Sequence, residues 1–350
     1  MFVLPALAIL ATATFAHPYR RSNGLTVDIS GPGSRVSSIE DLKFSATVTN
    51  TNAGDVKVLK YGTVLDGLPS RSFSVTKDGV PVDFTGVKLN VAVSDSAYTT
   101  IPSGENVTVE HNVADLYDFA SAGKGTFAFE PITDFRVIGA EERVASQLSA
   151  FKAIAEVIEV EVTSEVTKRS LKRSTDVCAN ETLSGFINAS YVEAKELALI
   201  SLDYVSTLGN SSNNTMTTYF STNPAQNVTD KLQLVADEND PSRTLNCLDE
   251  YGVCDGNVIA YTVISTTDIY FCGIFFNEVP STDLCSGNTT VAARNIRGGT
   301  LLHELTHAVA DTVDVTYGCA TDQRLTAAQQ IQNADNFNCF VTQVYNDTQC

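Results

Sequence analysis

Histidine is almost absent from this chain: 350 residues contain four, at positions 17, 111, 303 and 307. Lys and Arg are also few, 23 against 41 Asp and Glu, for a formal net charge of −18. That deficit excludes nucleic acid as the main partner, because phosphate binding needs clustered cations, and it suits cationic partners instead. Cysteine is missing up to Cys178. Beyond residue 16 no apolar run is long enough to span a bilayer, so no membrane segment is expected. There is no internal repeat, and the one low-complexity tract, NSSNNTMTT, reads as a polar surface loop.

What is present describes an exported globular chain. Hydrophobic residues make up 43% and charged residues 18%, and the length favours two domains. The first sixteen residues, MFVLPALAILATATFA, read as a signal peptide cut after Ala16. The eight cysteines (Cys178, Cys247, Cys254, Cys272, Cys285, Cys319, Cys339 and Cys350) are an even number, as a disulfide framework requires. Their spacing alone does not give the pairing. N-x-S/T sequons at Asn180, Asn188, Asn210, Asn213, Asn227, Asn288 and Asn346 fit a glycosylated, extracellular surface.

Composition changes at EVTKRSLKRSTDVC, where Lys168-Arg169 and Lys172-Arg173 offer a kexin-type processing protease two dibasic pairs just before the first cysteine. The expected division is therefore a signal at 1–16, a pro-region at 17–173 and a catalytic domain at 174–350. In the pro-region, LKFSATVTN, VKVLKYGTVLDG, RSFSVTKDG, VKLNVAVSD and NVTVEHNV alternate apolar and polar residues between turns. Short strands at such spacing predict an all-β, immunoglobulin-like sandwich, with 141–166 as a helical or extended connector.

Residues 174–350 predict a mostly helical α+β domain. FINASYVEAKELALISLDYVSTLG has helical periodicity and ends at Gly209. GNVIAYTVISTTDIYFCGIFF resembles a hairpin turning at Ser265 to Asp268. GGTLLHELTHAVAD reads as a helix opened by a Gly-Gly-Thr turn with Thr300 as N-cap, and RLTAAQQIQNADNFNCFVTQVYND as a last helix.

HELTH carries the chemistry. His303 and His307, four apart, share one helix face and can present imidazole nitrogens to one ion, with Glu304 beside them as a general base. A catalytic zinc needs a third protein ligand. No other histidine lies in 174–350, and Ala310 and Val313 stand where a metzincin needs Gly and His. No glutamate follows Glu304, and paired cysteines offer no thiolate. That leaves Asp311, Asp314, Asp322, Asp335 or Asp347. Asp311 continues the His307 face, but three ligands on one straight helix surround an ion poorly. Asp314 lies where a turn can return its carboxylate, with Tyr317 placed to stabilise an oxyanion. Asp335 suits a ligand or a partner to a histidine.

HELTH followed by DTVDVTYG resembles the deuterolysin (neutral protease 2) family of secreted fungal zinc endopeptidases, the aspzincins. Their pattern is HExxH, then G-T-x-D-x-x-Y-G. Thr312, Asp314, Tyr317 and Gly318 fit it, Asp311 stands where the family has glycine, and the spacer after His307 is short. The resemblance covers the whole chain. It implies a zincin-like catalytic domain with one zinc on His303, His307 and Asp314. It also implies Tyr317 assisting the transition state and disulfides Cys178–Cys247, Cys254–Cys272, Cys285–Cys350 and Cys319–Cys339.

The expected activity is a secreted, monomeric zinc metalloendopeptidase made as a zymogen. Glu304 acts as general base and Tyr317 as oxyanion donor, and DIYFCGIFF is the strand on which an extended substrate pairs. The pro-region serves as inhibitor, by a steric lid or by a carboxylate or His111 reaching the metal. Residues 174–350 hold six basic residues (Lys195, Lys231, Arg243, Arg294, Arg297, Arg324) against 21 acidic ones, which points to basic protein substrates. The rival reading is an inactive secreted binding protein that keeps the fold.

Overall fold

The computed structural model describes residues 24–139, 149–167, 178–208 and 214–350. The leader, His17, the dibasic pairs and the sequons Asn210 and Asn213 lie outside them.

In the first part the alternating segments form strands as expected. In Lys43–Asn50 burial alternates along the chain, as one face on a core requires. It pairs antiparallel with Leu25–Ser30 on one side and Asn106–Asn112 on the other. A second sheet sets Gly125–Pro131 between Ile158–Val162 and Phe73–Lys77, with two-residue strands at both edges. The two sheets close on one aromatic core: Phe44 of the first lies 5.1 Å from Phe73 and 4.8 Å from Phe129 of the second. Two sheets sharing an apolar face make a β-sandwich. A third sheet runs Ser149–Lys152, Asp134–Gly139, Val56–Leu59, Tyr98–Ile101, so the 141–166 connector is extended where it is described.

One strand leaves this assembly. Val87–Val91, from VKLNV, pairs antiparallel with Val258–Val263 of the second part, in the register Leu89↔Tyr261 and Lys88↔Thr262. The sheet order there is Leu245–Asn246, Asp268–Phe271, Val258–Val263, Val87–Val91. The hairpin turns where expected, but Asp268–Phe271 is an interior strand. A parallel two-residue partner, too short to show in the sequence, covers its outer side. The edge open to an added peptide is therefore Val258–Val263 rather than DIYFCGIFF, and Val87–Val91 fills it.

The rest of the second part is helical, making the whole fold mixed α+β. Glu181–Leu208 and Ala334–Gln349 pack against Arg297–Ala310, the helix bearing HELTH. That helix begins before the expected Gly-Gly-Thr turn. Its N-cap is Ile296, Gly298 and Gly299 lie within its first turn, and Thr300 donates to Glu278 instead of capping. The glycines serve close packing: a Cβ on Gly298 would lie 2.6 Å from Glu193, and one on Gly299 2.9 Å from Thr342. The expected last helix is interrupted, with Ala327–Gln330 a separate turn and Asn333 at the position just before Ala334–Gln349. All four disulfides pair as the resemblance implied, and all lie within the second part. No helix among the described residues is long and apolar enough to cross a membrane.

Gly299→Ala must push Thr342 and Asn338 off the helix and lose ~1–3 kcal/mol, as overpacked sites do. Gly185→Ala, in open space on Glu181–Leu208, should gain ~0.5–1 kcal/mol. Denaturant unfolding of the two variants beside the wild type checks both signs.

Candidate metal centre

Every residue of Arg297–Ala310 from Gly298 to His307 is buried, so the two histidines sit on a helix that is itself core. One turn apart, their Nε2 atoms lie 3.1 Å from each other. The helix stops at Asp311, whose left-handed backbone (φ 49°, ψ 43°) reverses the chain. Val313 then pairs with the segment ahead of the last helix through Val313 N–H to Gln332 O (2.7 Å) and Ala334 N–H to Val313 O (3.0 Å). The Asn333 side chain accepts from Val315 and Thr316. This pinned loop brings Asp314 Oδ1 to 3.1 Å from His303 Nε2 and 3.2 Å from His307 Nε2.

The three atoms form a near-equilateral triangle. A tetrahedral ion with ligands at 2.0–2.1 Å separates them by about 3.3 Å, so the set has the dimensions of one face of such a site. The tautomers agree. His307 Nδ1 lies 2.9 Å from the Thr312 carbonyl, so Nδ1 carries the hydrogen and the Nε2 lone pair faces the group. His303 Nδ1 faces Asp335 Oδ1 at 3.7 Å. Three such ligand atoms converging in a buried place call for a cation, and without a metal a proton on His303 takes that part. Burial opposes charge on His303, but its bonds to Asp314 and Asp335 outweigh that and push it up to about 10. Burial lowers His307. Burial also opposes ionisation of Asp314, yet the two imidazoles hold its carboxyl below the usual range. The donor set of two imidazoles and a carboxylate suits zinc.

Glu304 is fully buried, close enough to His303 and Asp314 to feel their charge. One oxygen accepts from Thr262 Oγ1 at 2.6 Å, and the other, Oε1, has no partner among the described residues. Burial pushes this carboxyl up to about 8. Tyr317 lies with its ring 6.4 Å from that of His303, nearly parallel, and burial raises its phenol well above its ordinary value. Asp311 is the exposed end of the helix and Asp335 is buried behind His303, so the structure brings together His303, His307, Glu304, Asp314 and Tyr317. Cys319, Asp322 and Cys339 also cluster, but the two sulfurs are joined to each other.

The Val87–Val91 strand runs through this centre. Leu89 N–H donates to Asp314 Oδ2 (2.8 Å), and the Leu89 carbonyl accepts from the Tyr317 hydroxyl (2.9 Å) and lies 3.2 Å from His303 Nε2. Lys88 Nζ donates to the Thr312 carbonyl (2.7 Å) and reaches Asp311 (3.3 Å). His111 does not approach the centre. It is buried in the sandwich core, edge-on to Phe73 and bonded to the Val64 carbonyl, because its strand alternation points it inward. Sequence reasoning missed three contributors: Thr262, Arg294 and the strand itself. Arg294 had a signal, as one of the six cations of 174–350.

The chain matches a family model described as the deuterolysin metalloprotease (M35) family over residues 2–350. It is 30% identical to a neutral protease 2 homolog of Botryotinia fuckeliana, over 87% of this chain and 89% of that one. It is 28% identical to a neutral protease 2 homolog of Arthroderma gypseum, over 97% and 95%. A zinc peptidase from Grifola frondosa aligns with 49% of this chain and 99% of its own, with a TM-score of 0.39 and 21% identity.

Asp314→Ala should abolish stoichiometric metal binding with the fold retained by circular dichroism. Asp335→Asn should keep the site and weaken it ~10–100-fold, as changes behind a ligand do. Metal titration of both variants separates the roles; full metal in Asp314→Ala would move ligation to Asp335 or Asp311.

Proposed function

The chain belongs to the deuterolysin metalloprotease (M35) family, and we propose that it is a secreted zinc endopeptidase made as a zymogen. In this reading residues 1–16 are the signal, 17–173 an immunoglobulin-like pro-region removed by a kexin-type protease, and 174–350 the catalytic domain. The observation that carries it is the pose of Val87–Val91. A protease substrate adds a strand to a sheet edge, and this segment adds one to Val258–Val263 and sets a peptide carbonyl under Tyr317.

His303, His307 and Asp314 would hold the zinc, the first two through Nε2. When bound, zinc supplies an electrophile that acidifies a coordinated water and polarises the peptide carbonyl. Glu304 in its ionised form, made more basic by burial and with Oε1 unpaired among the described residues, would accept the water proton as the oxygen–carbon bond forms. Tyr317 donates its hydroxyl to the oxyanion, the role its bond to the Leu89 carbonyl already rehearses. As the carbon–nitrogen bond breaks, Glu304 passes the proton to the leaving amine.

Inhibition follows from the same contacts. Leu89 occupies the Tyr317 hydroxyl and one oxygen of Asp314, so no substrate carbonyl can be placed while the strand is in the cleft. Because every disulfide lies within 178–350, a cut at 168–173 leaves the pro-region without a covalent tether. Basic substrates fit the excess of acidic residues in 174–350, and Lys88 at the carbonyl end of the HELTH helix is such a residue in place.

Full-length chain loaded with zinc should digest casein at least ~100-fold more slowly than the same preparation cut after Arg173. Glu304→Gln in the cut form should bind zinc and lose ~10²–10⁴-fold in kcat. Equal rates before and after the cut would remove the inhibitory role of Val87–Val91. A cut, zinc-loaded chain that digests nothing would favour the inactive binding protein.

A further inference from the structure

Arg294 is buried, yet nothing in the chemistry above uses it. It follows the turn Val291–Ala293 in a left-handed backbone (φ 50°, ψ 36°), a conformation that a side chain of this size adopts only when its surroundings hold it. They do so through the guanidinium. Nε donates to Asp335 Oδ1 at 2.9 Å and Nη2 makes a short bond to the same oxygen. The other oxygen of Asp335 accepts from Gly318 N–H at 2.7 Å, in the loop that carries Tyr317. The guanidinium also lies over the Tyr317 ring, 5.7 Å from its centre.

Its remaining donors point into the cleft. Nη1 donates to the Val91 carbonyl at 2.9 Å, and Nη2 to Asn90 Oδ1 at 3.1 Å. In an extended strand the N–H and C=O of residues 89 and 91 face one edge while those of 88 and 90 face the other. Leu89 shows its edge to Asp314 and Tyr317, so the Val91 carbonyl lies on that same edge, two residues further on. The inserted strand is thus gripped on one side by Val258–Val263 and on the other by Asp314, Tyr317 and Arg294.

We propose that Arg294, held in place by Asp335, is a substrate-positioning residue that grips the peptide carbonyl two residues beyond the one facing Tyr317. This rests on the reading that Val87–Val91 lies as a substrate does. With the strand gone, two donors of a buried cation face an empty cleft, and a desolvated donor of that kind gains most from a carbonyl. The contact is to backbone, so it orients any peptide without reading its sequence. It also places a requirement on length: a substrate must supply a carbonyl at that position.

The test compares acetyl-Val-Lys-Leu-Asn-Val-amide with acetyl-Val-Lys-Leu-Asn-isobutylamide, which keeps the last side chain and lacks the terminal carboxamide that carries the gripped carbonyl. The cut, zinc-loaded enzyme should show kcat/KM about tenfold higher on the first, the loss expected for a charge-assisted hydrogen bond. In Arg294→Lys, which keeps a cation against Asp335 but not the fork, that ratio should fall to near one with one zinc still bound. A wild-type enzyme that digests casein but treats the two peptides alike overturns the assignment without recourse to any variant. So does an Arg294→Lys enzyme that keeps the ratio, or one whose rates on both peptides fall in proportion, which would make Arg294 only a support for Asp335. A wild-type preparation that digests neither casein nor peptide strikes instead at the protease reading.

Discussion

Three ligand atoms, His303 Nε2, His307 Nε2 and Asp314 Oδ1, are held together in a buried place. Leaving such atoms without a cation is costly, so the architecture around them has to be stiff enough to impose it. The HELTH helix is enclosed by Glu181–Leu208 and Ala334–Gln349, which approach closely enough to require Gly298 and Gly299. The Asp314 loop is tied to the start of the last helix through Val313 and Asn333. Asp335, on that helix, faces His303 from behind and holds the loop again at Gly318. One helix therefore fixes both the ligand loop and the ring orientation, and the Cys319–Cys339 bond ties the two elements once more.

How much of this was legible depended on range. His303, Glu304 and His307 were readable because a helix converts a spacing of four into one face. Asp314 was readable only by exclusion and resemblance, since the turn that returns it is set by Asp311 in a left-handed conformation and by a bridge to residue 333. The strands of the first part announced themselves by alternation. Their destination did not: VKLNV alternates no differently from its neighbours, and nothing local says that it crosses to another sheet 170 residues on. The start of the HELTH helix was misread for a related reason. Gly-Gly-Thr has the composition of a turn, but the glycines answer to side chains of helices far away in sequence, and tertiary packing overrides their low helix propensity.

If the inserted strand is an inhibitor, as proposed, a folded β-sandwich serves it better than a short peptide would. A five-residue segment binding alone would lose the entropy of ordering. Anchored at both ends in folded sheets, through Phe84 bridged to Tyr117 before it and Tyr98–Ile101 paired with Val56–Leu59 after it, it arrives already extended. The contacts of Lys60 and Tyr61 with Asp255, beside the same sheet edge, add a second point of attachment that fixes its register.

Tethering then sets the order of events in the proposed zymogen. While chain continuity holds the strand near the cleft, its effective concentration is on the order of millimolar, and free substrates do not compete with it. Once the link is cut, the strand becomes a separate molecule that binds by the same hydrogen bonds but obeys dilution. On that proposal the second part need not move for the switch, since the ligand triangle and Tyr317 already surround Leu89. An enzyme assembled in advance and silenced by a bound strand needs only dissociation to become active. In the proposed zymogen, therefore, the constraint that makes the centre rigid does not conflict with silencing by a bound strand.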